Sequence, residues 1–255
     1  MYKISIVPVF IYCLMHLEGH SQNLVMNGSF EDYSTCPENY NTVFQNEILP
    51  YWKSPSAGTP DYFNVCSNGN SGIPDNWTGI SNAPTGNGYV GAYLYKEGSS
   101  FREHFQGEFL TPLIKGEKYK VGFKLNQAFY AQLISKRIEV SFSSQPVKSS
   151  IIDFDIPVDS EAVLIFELDT SEESGWGLYQ MEYIATGNEK YITIGNFSFL
   201  KNSDYIKKKY WKLKEPMLKS SSYIHLDDVF VNQIRVSKGK LKDSGSAKSE
   251  FSHYD

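Results

Sequence analysis

The stretch KYKVGFKLNQ, residues 118–127, alternates apolar and polar side chains over most of its length. Its apolar members are Tyr119, Val121, Phe123 and Leu125. A two-residue period of this kind is typical of an antiparallel strand that buries one face and exposes the other. The stretch is therefore predicted to be a half-buried strand.

Further segments favour the same structure: 89–95, 137–143, 162–168, 178–185, 190–199 and 223–231. No segment carries a long apolar stripe with the 3.6-residue period of a helix. Turn-forming Pro, Asn, Gly and Ser are frequent in residues 34–88, which are predicted to be long ordered loops. The sequence thus predicts an all-β protein, an antiparallel β-sandwich of the jelly-roll type.

The two ends of the chain differ from this pattern. Residues 1–21 have the layout of a secretory signal peptide, with Lys3, an apolar run and the small-residue site Gly19-His20-Ser21. The apolar run is too short to span about 30 Å of bilayer, so no membrane span is expected after cleavage. We expect export to the periplasm, the outer-membrane surface or the extracellular space.

The mature chain is predicted to form one sandwich domain, residues 22–236, followed by a disordered polar tail, residues 237–255. Within the domain, the basic segment 201–222 is interpreted as a loop insertion between two strands. Net charge is −5, which argues against a nucleic-acid partner.

Cysteine usage is informative because cleavage of the leader would leave Cys36 and Cys66. Both lie among turn-forming residues, and an oxidising compartment favours their pairing as a disulfide. Two free thiols are the alternative.

Acidic residues occur near both ends of the predicted domain. Glu31 follows the first apolar stretch, and Asp227 and Asp228 interrupt the last one. A carboxylate near the core needs a partner, and oxygen ligands suit Ca²⁺. The alternative is that these acids cap turns or pair with lysine.

Motifs at the two ends, N-L-V-x-N-G-S-F-E (23–31) and Y-I-x-x-D-D-V (223–229), resemble the galactose-binding-like jelly roll of carbohydrate-binding modules. Between them lie S-T-C-P (34–37), G-T-P-D-Y-F-N-V-C (58–66), G-N-G-Y-V-G (86–91), R-E-H-F-Q (102–106) and A-T-G-N-E-K-Y-I-T-I-G-N-F (185–197). Together they resemble the amino-terminal domain of exported Bacteroidetes-type envelope proteins of the OmpA family. The broader resemblance implies a structural calcium held by Glu31 and Asp227, with Asp228 beside them.

Three functions are compatible with these features. The first is a non-catalytic glycan-binding module, since sugars bind to aromatic faces flanked by polar side chains. The second is an envelope adhesion module that binds a protein and has no sugar affinity. A glycoside hydrolase is the third, but no acid–base pair stands out in the sequence, so no enzyme is predicted.

The candidate ligand face combines aromatic and polar side chains from neighbouring strands: Tyr89, Tyr93, Tyr95, Arg102, Asn126 and Gln127. The alternative is that the aromatic loop of residues 34–88 covers this face and makes the tyrosines part of the core.

The signal-peptide prediction is tested by amino-terminal sequencing of the protein recovered from an exporting host. The recovered chain should begin at Gln22, because cleavage is expected after Ser21. A chain that still begins at Met1 would contradict this expectation.

Overall fold

The computed structural model describes residues 22–40, 48–153, 155–158, 162–171, 175–198, 204–209 and 211–235. The predicted signal peptide, residues 1–21, and the predicted tail, residues 237–255, lie outside these ranges. Within them, no helix combines the length and apolar character needed to cross a membrane.

Strands account for the regular structure of the described residues. In chain order they are β1 (Trp52–Lys53), β2 (Asp61–Asn64), β3 (Asp75–Asn76), β4 (Gly79–Ile80), β5 (Gly88–Lys96), β6 (Phe105–Glu108), β7 (Lys118–Gln127), β8 (Leu133–Ser135), β9 (Arg137–Ser143), β10 (Val163–Glu167), β11 (Gly177–Ile184), β12 (Tyr191–Gly195), β13 (Tyr205–Lys207) and β14 (Ser221–Gln233). A short 3-10 helix spans Pro216–Leu218. The segments predicted from alternation correspond to β5, β7, β9, β10, β11, β12 and β14.

Two five-stranded sheets form the body of the domain. Their strand orders are β1-β6-β12-β9-β10 and β11-β7-β14-β5-β2, and neighbouring strands are antiparallel. Two small sheets, β3-β4 and β8-β13, flank them. The predicted all-β antiparallel sandwich is confirmed.

The core lies between the two large sheets and contains the apolar residues that alternation had placed inward. Val121, Phe123 and Leu125 of β7 contribute to one buried cluster, together with Ile138 and Val140 of β9. Full burial of each such side chain stabilises the fold by roughly 1.5–3 kcal/mol.

The amino-terminal segment closes the sandwich by docking on β14. Asn23 Nδ2 donates to the Val229 carbonyl at 2.9 Å, and its Oδ1 accepts the Val231 N–H at 3.0 Å. The Val229 N–H in turn donates to the Gly28 carbonyl at 2.8 Å. This segment forms no extended strand in the structure, because side-chain bonds from Asn23 replace part of a backbone ladder.

A disulfide joins Cys36 to Cys66, with their Cα atoms 6.0 Å apart. The predicted pairing is therefore confirmed. It links the loop after the amino-terminal segment to the end of β2 across 30 residues. In the chain-entropy description, closing a loop of this size stabilises the folded protein by roughly 3–4 kcal/mol relative to the unfolded chain.

The basic segment 201–222 is more ordered than a plain loop in the part that the structure describes. It contains β13 and the 3-10 helix, and its last residues begin β14. Lys208 Nζ donates to the carbonyls of Ala128 and Phe129, both at 3.0 Å. Trp211 Nε1 donates to the Tyr130 carbonyl at 2.8 Å, so the segment is fastened to the loop that follows β7.

Substitution of Gly28 should destabilise the closure between the amino-terminal segment and β14. A Cβ at this position would collide with the backbone carbonyl oxygen of Val229, which cannot move without breaking the docking bonds. Gly28→Ala should lower the free energy of unfolding by about 1–3 kcal/mol, measured by urea denaturation. Gly175→Ala is the matched control, because its Cβ would meet no atom within 4 Å. Equal midpoints for the two variants would contradict this account.

Candidate functional site

The tyrosine face predicted from the sequence is covered in the structure. Tyr89 and Tyr95 are buried, Tyr93 is half-buried, and Arg102 is 2% exposed. The Tyr93 hydroxyl donates to the Met217 carbonyl at 3.1 Å, and the Arg102 guanidinium lies 4.7 Å from the centre of the Tyr95 ring. The structure therefore agrees with the alternative, in which the loops of residues 34–88 cover this face. The basic segment 201–222 adds to the cover.

A second buried cluster fills the space between this face and its cover. It contains Phe63, Trp77, Tyr89, Ala128, Ala131, Leu218 and Tyr223. Tyr223 lies directly over Gly91, where a Cβ would be 2.6 Å from the ring. A small residue is therefore required at position 91 for this aromatic layer to pack on the sheet.

His225 is part of the same layer and is neutral. Its ring lies 4.7 Å from Tyr89 and 5.5 Å from Phe63, and burial lowers its pKa to about 3. Thr78 Oγ1 uses its single proton to donate to Asn76 Oδ1. It therefore accepts a hydrogen bond from His225 Nε2, which lies 2.7 Å away. This histidine is a packed strand residue and not an accessible base.

Asn126 and Gln127, the last residues of β7, line a surface cleft of about 310 Å³. The cleft is bounded by Ile80, Phe129 and Trp176. Phe129 is 65% exposed and Ile80 62% exposed, although both are large apolar residues. Two of the six residues predicted for ligand binding therefore lie at an open site, beside apolar groups that face solvent.

The aromatic walls of the cleft are held in place by neighbouring groups. Trp176 Nε1 donates to the Asn82 carbonyl at 2.7 Å, and its ring packs edge-on against Tyr89 at 5.4 Å. The loop that carries Phe129 is fastened by Lys208, as described above. The Trp176 ring and the backbone at Phe129 are thus positioned before any ligand arrives.

The polar floor of the cleft is also oriented. Asn126 Nδ2 donates to Ser81 Oγ at 3.1 Å, and Gln127 Nε2 donates to the Ser135 carbonyl at 2.9 Å. Asn126 Oδ1 accepts no hydrogen bond from the described residues. That oxygen is an acceptor for a hydroxyl or amide of a ligand.

Lys208 is the charged side chain among the described residues that line the cleft, and none of them is Asp, Glu or His. The lining residues that the structure describes therefore supply no carboxylate or imidazole for proton transfer. The sequence does not single out Trp176 and Phe129, because neither belongs to an alternating segment. The isolation of Trp176 between two glycines, Gly175 and Gly177, was the available signal.

The three acids predicted to bind calcium surround the turn that precedes β5. Glu31 Oε1 accepts the N–H groups of Asn87 at 2.9 Å and Gly88 at 3.0 Å. Asp228 Oδ2 accepts the Thr85 hydroxyl at 2.8 Å and lies 2.8 Å from Lys124 Nζ. These are turn-cap and lysine contacts of the kind named as the alternative.

Asp227 is the least compensated of these acids. It is fully buried, and its Oδ1 accepts the Asp228 N–H at 2.7 Å. Burial, together with the negative charges of Asp228 and Glu31, raises its pKa to about 8. No group of three or more His, Cys, Asp or Glu side chains in the described part of the chain is placed so that it could hold a metal ion.

A separate pair of acids, Asp61 and Glu103, is buried beneath the aromatic layer. Glu103 accepts the N–H groups of Thr59 at 3.1 Å and Tyr93 at 3.0 Å, and Asp61 accepts the Tyr223 hydroxyl at 2.5 Å. Burial, and then the charge of Asp61, raises the pKa of Glu103 to about 8. Both side chains are almost completely buried, and their hydrogen bonds help to hold the layer together.

No protein-family model matches the chain, and no curated protein matches it significantly. The resemblance to OmpA-family envelope proteins therefore stays a prediction.

Solved structures align with the chain at low identity. A structure of TmCBM61 in complex with β-1,4-galactotriose aligns at 14% identity and a TM-score of 0.40, over 84% of this chain and 100% of that one. The K1 cleaved adhesin domain of Lys-gingipain from Porphyromonas gingivalis W83 aligns at 16% identity and 0.37, over 72% and 92%. A cyclase from Fischerella sp. TAU aligns at 13% identity and 0.40, over 82% and 96%. No residue role is carried over from these structures.

The buried Glu103 should make the stability of the protein depend on pH. An unfolded glutamate titrates near 4.5, whereas the folded group titrates near 8. The stability contributed by the bound proton is complete below pH 4.5 and is lost as the pH rises through 8. Glu103→Gln should reduce the slope of unfolding free energy against pH, by up to about 1.4 kcal/mol per pH unit.

The measurement is urea denaturation at pH values between 5 and 8. Glu38→Gln, at an exposed position, is the control and should keep the wild-type slope. An unchanged slope in Glu103→Gln would show that Glu103 is ionised in the folded protein.

Proposed function

We propose that this protein is an exported, non-catalytic glycan-binding module whose ligand occupies the cleft between Phe129, Trp176 and Ile80. The observation that carries the proposal is the exposed Phe129 ring and the hydrogen-bonded, half-buried Trp176 ring beside oriented amides. Sugar rings present CH groups that pack on aromatic faces, and their hydroxyls exchange hydrogen bonds with planar polar side chains. The cleft supplies both kinds of group.

The size and charge of the cleft support binding without catalysis. A volume of about 310 Å³ is near the lower end of small-ligand sites, which span roughly 300–1,000 Å³. Glycoside hydrolysis uses two carboxyl groups that flank the scissile bond. The described lining contains none, and the acid pair Asp61 and Glu103 is buried away from solvent.

An envelope adhesion module without sugar affinity is the second candidate. The exposure of Ile80 and Phe129 favours it, because two neighbouring apolar side chains in solvent also suit a protein partner. Binding of a purified envelope protein, with no response to any glycan, would favour this candidate.

We also propose that a structural Ca²⁺ is held by Glu31 and Asp227, with Asp228 next to them and backbone carbonyls completing the ligand set. Because these acids do not form a ready metal site in the described structure, binding would have to draw their carboxylates together. The fully buried carboxylate of Asp227, with two further acids nearby, supports this proposal because a cation would offset the burial of its charge. Bound Ca²⁺ would fix the amino-terminal segment to β14.

Truncation of Phe129 should weaken glycan binding without unfolding the protein. The ring is largely exposed, so its removal costs little stability but removes a stacking surface worth about 1.5–3 kcal/mol. Phe129→Ala should therefore bind at least about tenfold more weakly. Binding is measured by isothermal titration with the xylo-, manno-, cello- or galacto-oligosaccharide selected from a glycan array. Ile114→Ala, which removes a 59% exposed residue outside the cleft, is the control.

Wild-type affinity in Phe129→Ala would place any glycan site elsewhere. An array without any binder would exclude the glycan-binding function for the sugars displayed.

Calcium should raise the melting temperature, and a chelator should lower it. An ion at a hundredfold excess over its Kd stabilises the folded state by about 2.7 kcal/mol. Asp227→Asn should abolish this response because it removes a charged ligand, whereas Asp204→Asn, in the basic segment, should retain it. Equal melting in chelator and in millimolar calcium, with no metal found by elemental analysis, would rule the site out.

A further inference from the structure

A second concave site lies on the opposite sheet from the cleft. We call it the tyrosine pocket, and its lining residues are Tyr51, Lys53, Gln106, Glu108, Pro146, Lys148 and Tyr191. Its volume is about 160 Å³, roughly half that of the cleft. It lies on the outer face of β1, β6 and β12, where side chains alternate with those of the core.

The pocket is built by cross-strand pairing and by a clamped loop. Lys53 lies opposite Gln106, and Glu108 lies opposite Tyr191. Gln106 Nε2 donates to the Val147 carbonyl at 2.9 Å, and its Oε1 accepts the Val147 N–H at 2.8 Å. These two bonds hold the loop that carries Pro146 and Lys148 against the sheet, so the pocket is preformed.

Tyr51 is held over this site in a strained backbone conformation. Its φ is 68°, a region in which the Cβ of an L-residue crowds its own carbonyl oxygen. The next residue, Trp52, is buried, and its indole N–H donates to the carbonyls of Met26 and Asn27. The anchored Trp52 and the turn before it leave the Tyr51 side chain 49% exposed. Strained residues of this kind concentrate at binding sites.

Several polar groups of the pocket have no partner in the described part of the chain. These are the hydroxyls of Tyr51 and Tyr191, the ammonium of Lys148 and the carboxylate of Glu108. Neither tyrosine ring packs against another described aromatic ring, whereas most aromatic rings of the domain do. The pocket thus offers two ring surfaces, a cation and an acceptor to a ligand.

We propose that the tyrosine pocket binds one acidic sugar residue, a hexuronate. Its carboxylate would pair with Lys148, its hydroxyls would donate to Glu108 and exchange hydrogen bonds with the tyrosine hydroxyls, and its CH face would pack on a tyrosine ring. A volume equivalent to about five waters of roughly 30 Å³ each holds a single sugar ring and not an oligosaccharide. The proposal rests on the proposed glycan-binding function but uses a different surface of the protein.

The test is saturation-transfer NMR with the full-length protein and three monosaccharides: D-galacturonate, D-glucuronate and D-galactose. Wild-type protein should bind at least one hexuronate saturably and at least about tenfold more tightly than galactose. Tyr191→Ala should abolish the signal, and Lys148→Gln should reduce hexuronate affinity to that of galactose. Lys115→Gln, at an exposed position outside the pocket, should bind as wild type does.

The variant Phe129→Ala separates this proposal from the proposed function of the cleft. It should lose oligosaccharide binding and retain hexuronate binding. Absence of a saturable hexuronate signal in the wild type, equal binding of galactose, or retention of wild-type hexuronate affinity in Tyr191→Ala or Lys148→Gln overturns the proposal. A melting temperature of Tyr191→Ala close to that of the wild type checks that its loss of binding is not a folding defect, and Tyr191→Phe, which keeps the ring and removes only the hydroxyl, should bind hexuronate more weakly than the wild type.

Discussion

The burial of β14 on both faces is the constraint on which the other features depend. Ile224 and Leu226 point into the core between the sheets, while Tyr223 and His225 point into the outer aromatic layer. Burial on both sides makes an unpaired polar group costly. Thr78 pairs with His225 Nε2 and Asp61 with the Tyr223 hydroxyl, so the loops that carry these residues pack on the sheet.

This double cover determines where a ligand can bind. In a sandwich with one uncovered sheet, a ligand could bind directly on the outer face of the strands. Here the outer faces of β5 and β14 are covered by the second buried cluster. The available surface is displaced to the end of β7, where the buried side chains of Asn126 and Gln127 line the cleft beside Phe129 and Trp176. The outer face of the other sheet is partly free, and the tyrosine pocket lies there.

Alternation was sufficient to predict the longer strands and the inner core, because a two-residue period reports directly which side chains share a face, but it did not find short strands such as β1, β3, β4 and β8. It could not predict the cover. Tyrosine is compatible with either a solvated or a buried face, so the sequence leaves open whether Tyr89 and Tyr95 contact a ligand or belong to the core, and in the structure both are buried. Phe129 and Trp176 lie in loops without periodicity, and their exposure depends on contacts with residues far away in the chain, such as Lys208.

The docking of Asn23 on Val229 also has a kinetic meaning. The two residues are 206 positions apart, so this contact of the amino-terminal segment cannot form until almost the whole domain has been synthesised. Pairings between such distant segments are slow to form, because a long chain must close before any contact is gained. For a chain that crosses a membrane unfolded, completion of the sandwich would therefore wait until β14 has emerged on the far side.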